Sequence, residues 1–222
     1  MGEAIGSMLA SAVGIAISPL PLVAVILMLT TPRGRTNGMA FTAGWVGALA
    51  LVVGLVVAVG SGLEGDGDTS TGPQWLKLAL GVVFLLLALR QWRNRPRGGQ
   101  QAPPPKWMRA MDRFTPSKAA ALAVVLVAAN PKNLALALGG AASIASSPAG
   151  AGAKAVASAL MVLIGSLCTL LPLGVYLLGG ERAARVLDSW KNWMSLHNAA
   201  IMATILLALG AKYIGDALGG PL

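Results

Sequence analysis

The sequence predicts an all-α membrane protein of six transmembrane helices, arranged as two inverted three-helix repeats. Three observations predict it. Hydrophobic residues make up 55% of the 222 positions and charged residues only 11%, with a mean hydropathy of +0.70. A soluble domain carries roughly a quarter charged residues to cover its surface; a lipid-facing surface removes that need. Six apolar runs are long enough to cross a hydrocarbon core, which takes about 20 residues as a helix. They are continuous rather than alternating, which favours helices over a barrel, and a helix satisfies its own backbone in lipid. Finally, the basic residues segregate by loop.

The runs fall near residues 4–30, 38–60, 74–92, 118–142, 153–178 and 194–216. The first loop carries Arg33 and Arg35, the third carries eight basic residues between Arg90 and Lys118, and the fifth carries Arg182, Arg185 and Lys191. The opposite side has Lys77, Lys154 and Lys212. The positive-inside rule therefore predicts a multi-pass protein of the cell inner (plasma) membrane, with loops one, three and five cytoplasmic and both termini extracytoplasmic. Topology and anionic lipid explain the net charge of +9, so no nucleic-acid partner is expected.

The first span is interrupted at Ile17-Ser18-Pro19-Leu20-Pro21. No basic n-region precedes it, so it reads as a retained span and not a cleaved signal. The second span has Ala40, Ala43, Gly44 and Gly47 at helical spacing, which permits close approach of another helix within the molecule or in a homo-oligomer. Ahead of the third span, Glu64, Asp66 and Asp68 resemble a fragment of a calcium loop without its other ligands, and read as a solvated loop. Residues 94–105, rich in Pro, Gly and polar side chains, read as a flexible linker. The chain thus divides into 1–93, a linker with an amphipathic segment at 94–117, and 118–222. Three spans on each side put the halves in opposite orientations, a plan of many secondary transporters.

The fourth span is interrupted at Ala129-Asn130-Pro131-Lys132-Asn133. Proline removes a helical hydrogen bond and pushes the preceding residue out of the α region. Ser18 and Asn130 are good N-caps, and Pro19 and Pro131 then occupy the favoured first helical position. Each span reads as two half-helices with a fresh N-terminus near mid-membrane, where free N–H groups and positive partial charge suit an anion. The fifth span holds Cys168, the sole cysteine, read as a small buried apolar residue. Segments 106–118 and 182–196 read as amphipathic helices on the inner leaflet. His197 in the sixth span reads as structural.

Lys132 is the sharpest single signal. A lysine at helix centre costs about 2.5–3.5 kcal/mol on insertion scales, and no acidic residue lies at comparable depth. Two readings stay open: contact with an anionic substrate, or a structural role in which the amine is neutralised by carbonyls freed at a helix break or snorkels out of the core. Ser18, Asn130 and Asn133 join Lys132 as candidate substrate-binding residues, with capping as the alternative role of the asparagines. Pro19, Pro21 and Pro131 are the helix-breaking residues. No catalytic set, metal cluster or phosphate loop appears in the sequence, so neither enzyme activity nor a cofactor is expected.

Three of these motifs, the 129–133 run, the Pro19/Pro21 pair and Phe41-Thr42-Ala43-Gly44-Trp45, resemble the LysE superfamily of small exporters. The Pro-rich basic central loop is most similar to the GAP family within it, also called the Sap or sulfolipid-addressing proteins. The resemblance covers nearly the whole chain. It implies a six-helix bundle of two inverted units, and transport of substrates from amino acids to cell-envelope glycolipids. By the same resemblance Asn130, Pro131 and Lys132 match the fourth-span motif, and Pro19 and Pro21 the first-span one. Leu20 stands where amino-acid exporters tend to have glycine, which argues against an amino-acid substrate because close backbone approach is harder there. The expected function is export of an anionic amphiphile, an envelope glycolipid or its precursor, with membrane lipids as partners. The alternatives are a small-solute (amino-acid) exporter and a membrane scaffold that recruits lipid-synthesis enzymes through the central loop.

Overall fold

The computed structural model describes residues 2–62, 74–93 and 114–218. Every regular element among them is an α-helix: α1 Gly2–Ala16, α2 Pro19–Leu29, α3 Gly34–Gly62, α4 Gln74–Arg93, α5 Pro116–Ala128, α6 Pro131–Ala145, α7 Ala151–Gly165, α8 Leu167–Leu178 and α9 Gly180–Leu218. The acidic triplet at 64–68, the linker and most of the 106–118 segment lie outside the described residues.

Two helices, α3 and α9, are each long and apolar enough to cross a membrane. Three consecutive pairs reach that length together across a bend: α1–α2 by 41°, α5–α6 by 68° and α7–α8 by 60°. These are the apolar helices of a multi-pass membrane protein, with two to five candidate crossings among the described residues. The α4 helix, at the place of the third expected span, is not one of those five.

The chain forms two compact units. The first comprises residues 1–62 and 103–194. Its helix directions can be read from close approaches at glycines. Gly14 lies against Leu136 and Gly140 against Ser11, so α1 and α6 run antiparallel. A β-carbon at Gly140 would stand 2.8 Å from that of Ser11 and 2.5 Å from the Met161 methyl; glycine is what lets α1, α6 and α7 meet. Helices α3 and α5 run parallel: the Asn37 amide donates to the Phe114 carbonyl at 3.0 Å, and Gly44 sits against the Ala120 backbone. Against α7–α8, α3 is antiparallel, with Gly38 beside Leu173 and Gly165 beside Leu49.

Phe41, Trp45, Leu49 and Val53 of α3 form a buried stripe at four-residue spacing, the core-facing face of the helix. The opposite face exposes Leu51, Leu55 and Val59, an apolar surface that suits lipid. Turn chemistry joins α2 to α3: Thr30 and Thr31 donate to the Leu27 and Met28 carbonyls at 2.8 and 2.7 Å. A side chain at Gly34 would collide with the Leu29 carbonyl, 2.2 Å from the β-carbon position. Between α8 and α9, Gly180 turns the chain with φ +51°, a conformation that favours glycine.

The first unit also holds the start of α9, which runs without interruption from the 182–196 segment into the sixth span. The sequence suggests a division there because charges cluster, yet no Pro or Gly separates Glu181 from Leu209, so nothing stops the helix. Ala183 and Leu187 are buried and Trp190 and Met194 half-buried, while Val186 and Trp193 are exposed. Lys191 pairs with Asp188 on the exposed side.

The second unit, residues 63–102 and 195–222, contains α4 and the remainder of α9. They cross at two glycines: a β-carbon on Gly81 would lie 3.1 Å from the Gly210 carbonyl oxygen, and the reverse distance is the same. Phe84 and Tyr213 stack nearby with ring centroids 5.7 Å apart.

Candidate functional site

Both expected breaks are present, each at its proline. Ser18 is the N-cap of α2, with φ −77° and ψ 114°, and Pro19 follows at the helix start. Asn130 is the N-cap of α6, with φ −86° and ψ 110°, and its side-chain oxygen accepts from the Lys132 backbone N–H at 3.1 Å. In both cases an extended N-cap followed by proline ends one helix and opens the next.

Because α1 and α6 run antiparallel, the C-terminal end of α1 lies beside the N-terminal turn of α6. The Lys132 amine donates to the Gly14 carbonyl at 2.8 Å, with the side chain only 1% exposed. In an unbroken helix that carbonyl would accept from the Ser18 N–H. The break sends the Ser18 N–H to Ile15 instead, at 3.1 Å, leaving Gly14 to the amine. The cation thus sits at the negative end of a helix, an arrangement worth up to about 2 kcal/mol when partly buried. Of the two readings of Lys132, the freed carbonyl is the contact seen.

A second bond crosses the same junction. The Ser18 hydroxyl donates to the Asn133 side-chain oxygen at 3.0 Å, and both residues are buried. The Asn133 amide donates to the Leu126 carbonyl at 3.2 Å, a group at the end of α5 that the fourth-span break leaves without its usual acceptor role. Ser18, Lys132 and Asn133 are therefore brought together, with Asn130 capping beside them. The two half-helix N-termini do meet, but their polar side chains close on one another. Pro19 and Pro21 are buried while Pro131 is exposed; their role is to make the ends.

A third break went unanticipated. Helix α7 ends at Gly165 and α8 begins at Leu167, with Ser166 as the junction. A β-carbon at Gly165 would lie 3.4 Å from Ile15, one residue beyond the carbonyl that Lys132 holds. Cys168 is buried on the first turn of α8. All three breaks thus gather in one region of the first unit. The signal was the Gly165-Ser166 pair, a known site of helix kinks; the nearby Pro172 lies inside α8. A second buried lysine also reaches a helix end. Lys154, at the start of the expected fifth span, is 7% exposed and donates to the Ala145 carbonyl at the end of α6.

No curated protein and no solved structure matches the chain. A family does: the one described as Sap, sulfolipid-1-addressing protein, matches residues 8–219. That match takes in all three breaks and both α3 and α9, and the chain belongs to the Sap, or sulfolipid-1-addressing protein, family.

Proposed function

We propose that this protein is an inner-membrane transporter that moves an anionic envelope amphiphile, a sulfolipid or its precursor, across the bilayer. The observation that carries the reading is the buried junction of two antiparallel broken spans, bridged by Lys132 to Gly14 and by Ser18 to Asn133. Discontinuous helices meeting at mid-membrane are a recurrent plan of secondary transporters. The family name supplies the lipid class. The buried amine supplies the sign of the charge, because an anion can replace the Gly14 carbonyl as its acceptor.

The full proposal has six spans in two inverted halves, as in the LysE superfamily, with α4 as the third span and both termini extracytoplasmic. Antiparallel α1 and α6 support the inversion. The protein acts as a carrier and not as an enzyme, and its partners are membrane lipids and the amphiphile. Lys132→Ala and Lys132→Met test the reading in cells or proteoliposomes, at matched protein levels in the membrane. Export of the anionic lipid falls in both variants; normal export in either removes Lys132 from the mechanism.

A further inference from the structure

The residues at the first two breaks satisfy one another, so the atoms that still lack partners must be sought elsewhere. Among the described residues six buried side-chain atoms lack partners, and while those of Asn37, Ser61 and Asn198 are scattered, those of Thr42, Trp45 and Ser166 lie at the third break. Gly38, Thr42, Trp45 and Leu49 recur at i, i+4, i+7 and i+11, one stripe along α3. Both ends of the stripe are fixed against the fifth span: a β-carbon at Gly38 would stand 3.6 Å from Leu173, and one at Gly165 would stand 3.0 Å from Leu49. Thr42 and Trp45 therefore lie between these points, along the first two turns of α8. Ser166 opens those turns. Ser166 and Trp45 are 0% exposed and Thr42 is 4% exposed, and the Ser166 and Thr42 hydroxyls and the Trp45 indole N–H have no hydrogen-bond partner.

Buried polar atoms are nearly always paired, so three orphans along one seam call for an explanation. An indole N–H only donates, and both hydroxyls can donate. The first turn of α8 adds the positive end of its dipole. Neither α3 nor α8 contains an Asp or Glu, so no carboxylate competes for the donors. Such a set recognises an oxyanion that only accepts, as a sulfate ester or a phosphodiester does.

We propose that the seam between α3 and the first two turns of α8 is an oxyanion-binding site, with Trp45, Thr42 and Ser166 as its ligands for the charged headgroup of an anionic lipid. The assignment of a lipid rests on the transport reading; the donor geometry does not.

The test uses full-length protein labelled with 15N-tryptophan, in maltoside micelles that contain no oxyanion. Trp45→Phe identifies the Trp45 indole signal. Sulfatide shifts that signal, whereas galactosylceramide, the same lipid without its sulfate, leaves it in place. Ser166→Ala and Thr42→Val each weaken the sulfatide titration about tenfold, the effect of losing one hydrogen bond to a charged group, with the other indole signals unchanged. Phosphatidylglycerol acting at the same mole fraction as sulfatide upholds the site and makes phosphodiesters its occupants too. A Trp45 signal indifferent to both anionic lipids, or equally responsive to galactosylceramide, overturns the proposal. Sulfatide flipping measured on the same protein separates the two failures: intact flipping with a silent Trp45 refutes this site alone, and a shifted Trp45 without flipping refutes transport alone.

Discussion

The bond between Ser18 and Asn133 makes a quantitative test of the junction. Ser18→Ala removes the hydroxyl and strands the Asn133 side-chain oxygen in a buried site, at a cost of about 1–2 kcal/mol. Asn133→Ala removes that bond and the one to Leu126 at 3.2 Å, and opens space around a residue that is 1% exposed, so it costs about 2–4 kcal/mol. The double variant must cost less than the sum, because the shared bond can be lost only once. Coupling energies between helices in membranes average about 0.6 kcal/mol and reach about 1.7; full burial places this pair in the upper half of that range. Reversible unfolding in mixed detergent micelles measures it, with Cys168 as reporter. It is the only cysteine in the chain and is 2% exposed, so a thiol probe labels it only on unfolding. Effects that add to within about 0.3 kcal/mol would refute the argument that this bond ties the two broken spans together.

Three further outcomes follow from the same structure. Gly140→Val forces a side chain into Met161 and Ser11, and lowers stability by about 1–3 kcal/mol in the same unfolding assay. Asn130→Ala loses the cap on the Lys132 N–H and costs about 1 kcal/mol, whereas Asn130→Gly costs only a few tenths; equal costs would show that the cap contributes nothing. Asp188→Asn, which breaks an exposed pair with Lys191, changes stability by less than about 0.5 kcal/mol.

The breaks at Ser18 and Asn130 were legible because each combines an N-capping side chain with proline, two local signals that agree. The break at Ser166 carries no proline at its start, only a Gly-Ser pair, a single local signal with no second one to agree with it. The depth of Lys132 could be read from the apolar residues around it, but its partner could not. The acceptor is a main-chain carbonyl of a distant helix, and a census of acidic side chains is blind to backbone. The orphaned donors were hidden for a related reason. Thr42 and Trp45 stand in a motif of the sequence, but only the packing of α3 against α8 shows that their polar atoms go unpaired. The continuity of α9 is not legible from charge, which marks where a helix leaves the membrane and not where it stops being helical.

The hold of Lys132 on Gly14 bears on leakage. Pulling a charged amine away from its only seen acceptor, with nothing in exchange, would leave it bare in a medium of low polarity, at several kcal/mol. The resting junction is therefore costly to open by thermal motion alone. On the transport reading proposed above, only a visitor that offers the amine a better oxygen trades places with the main chain, and opening is tied to the cargo itself.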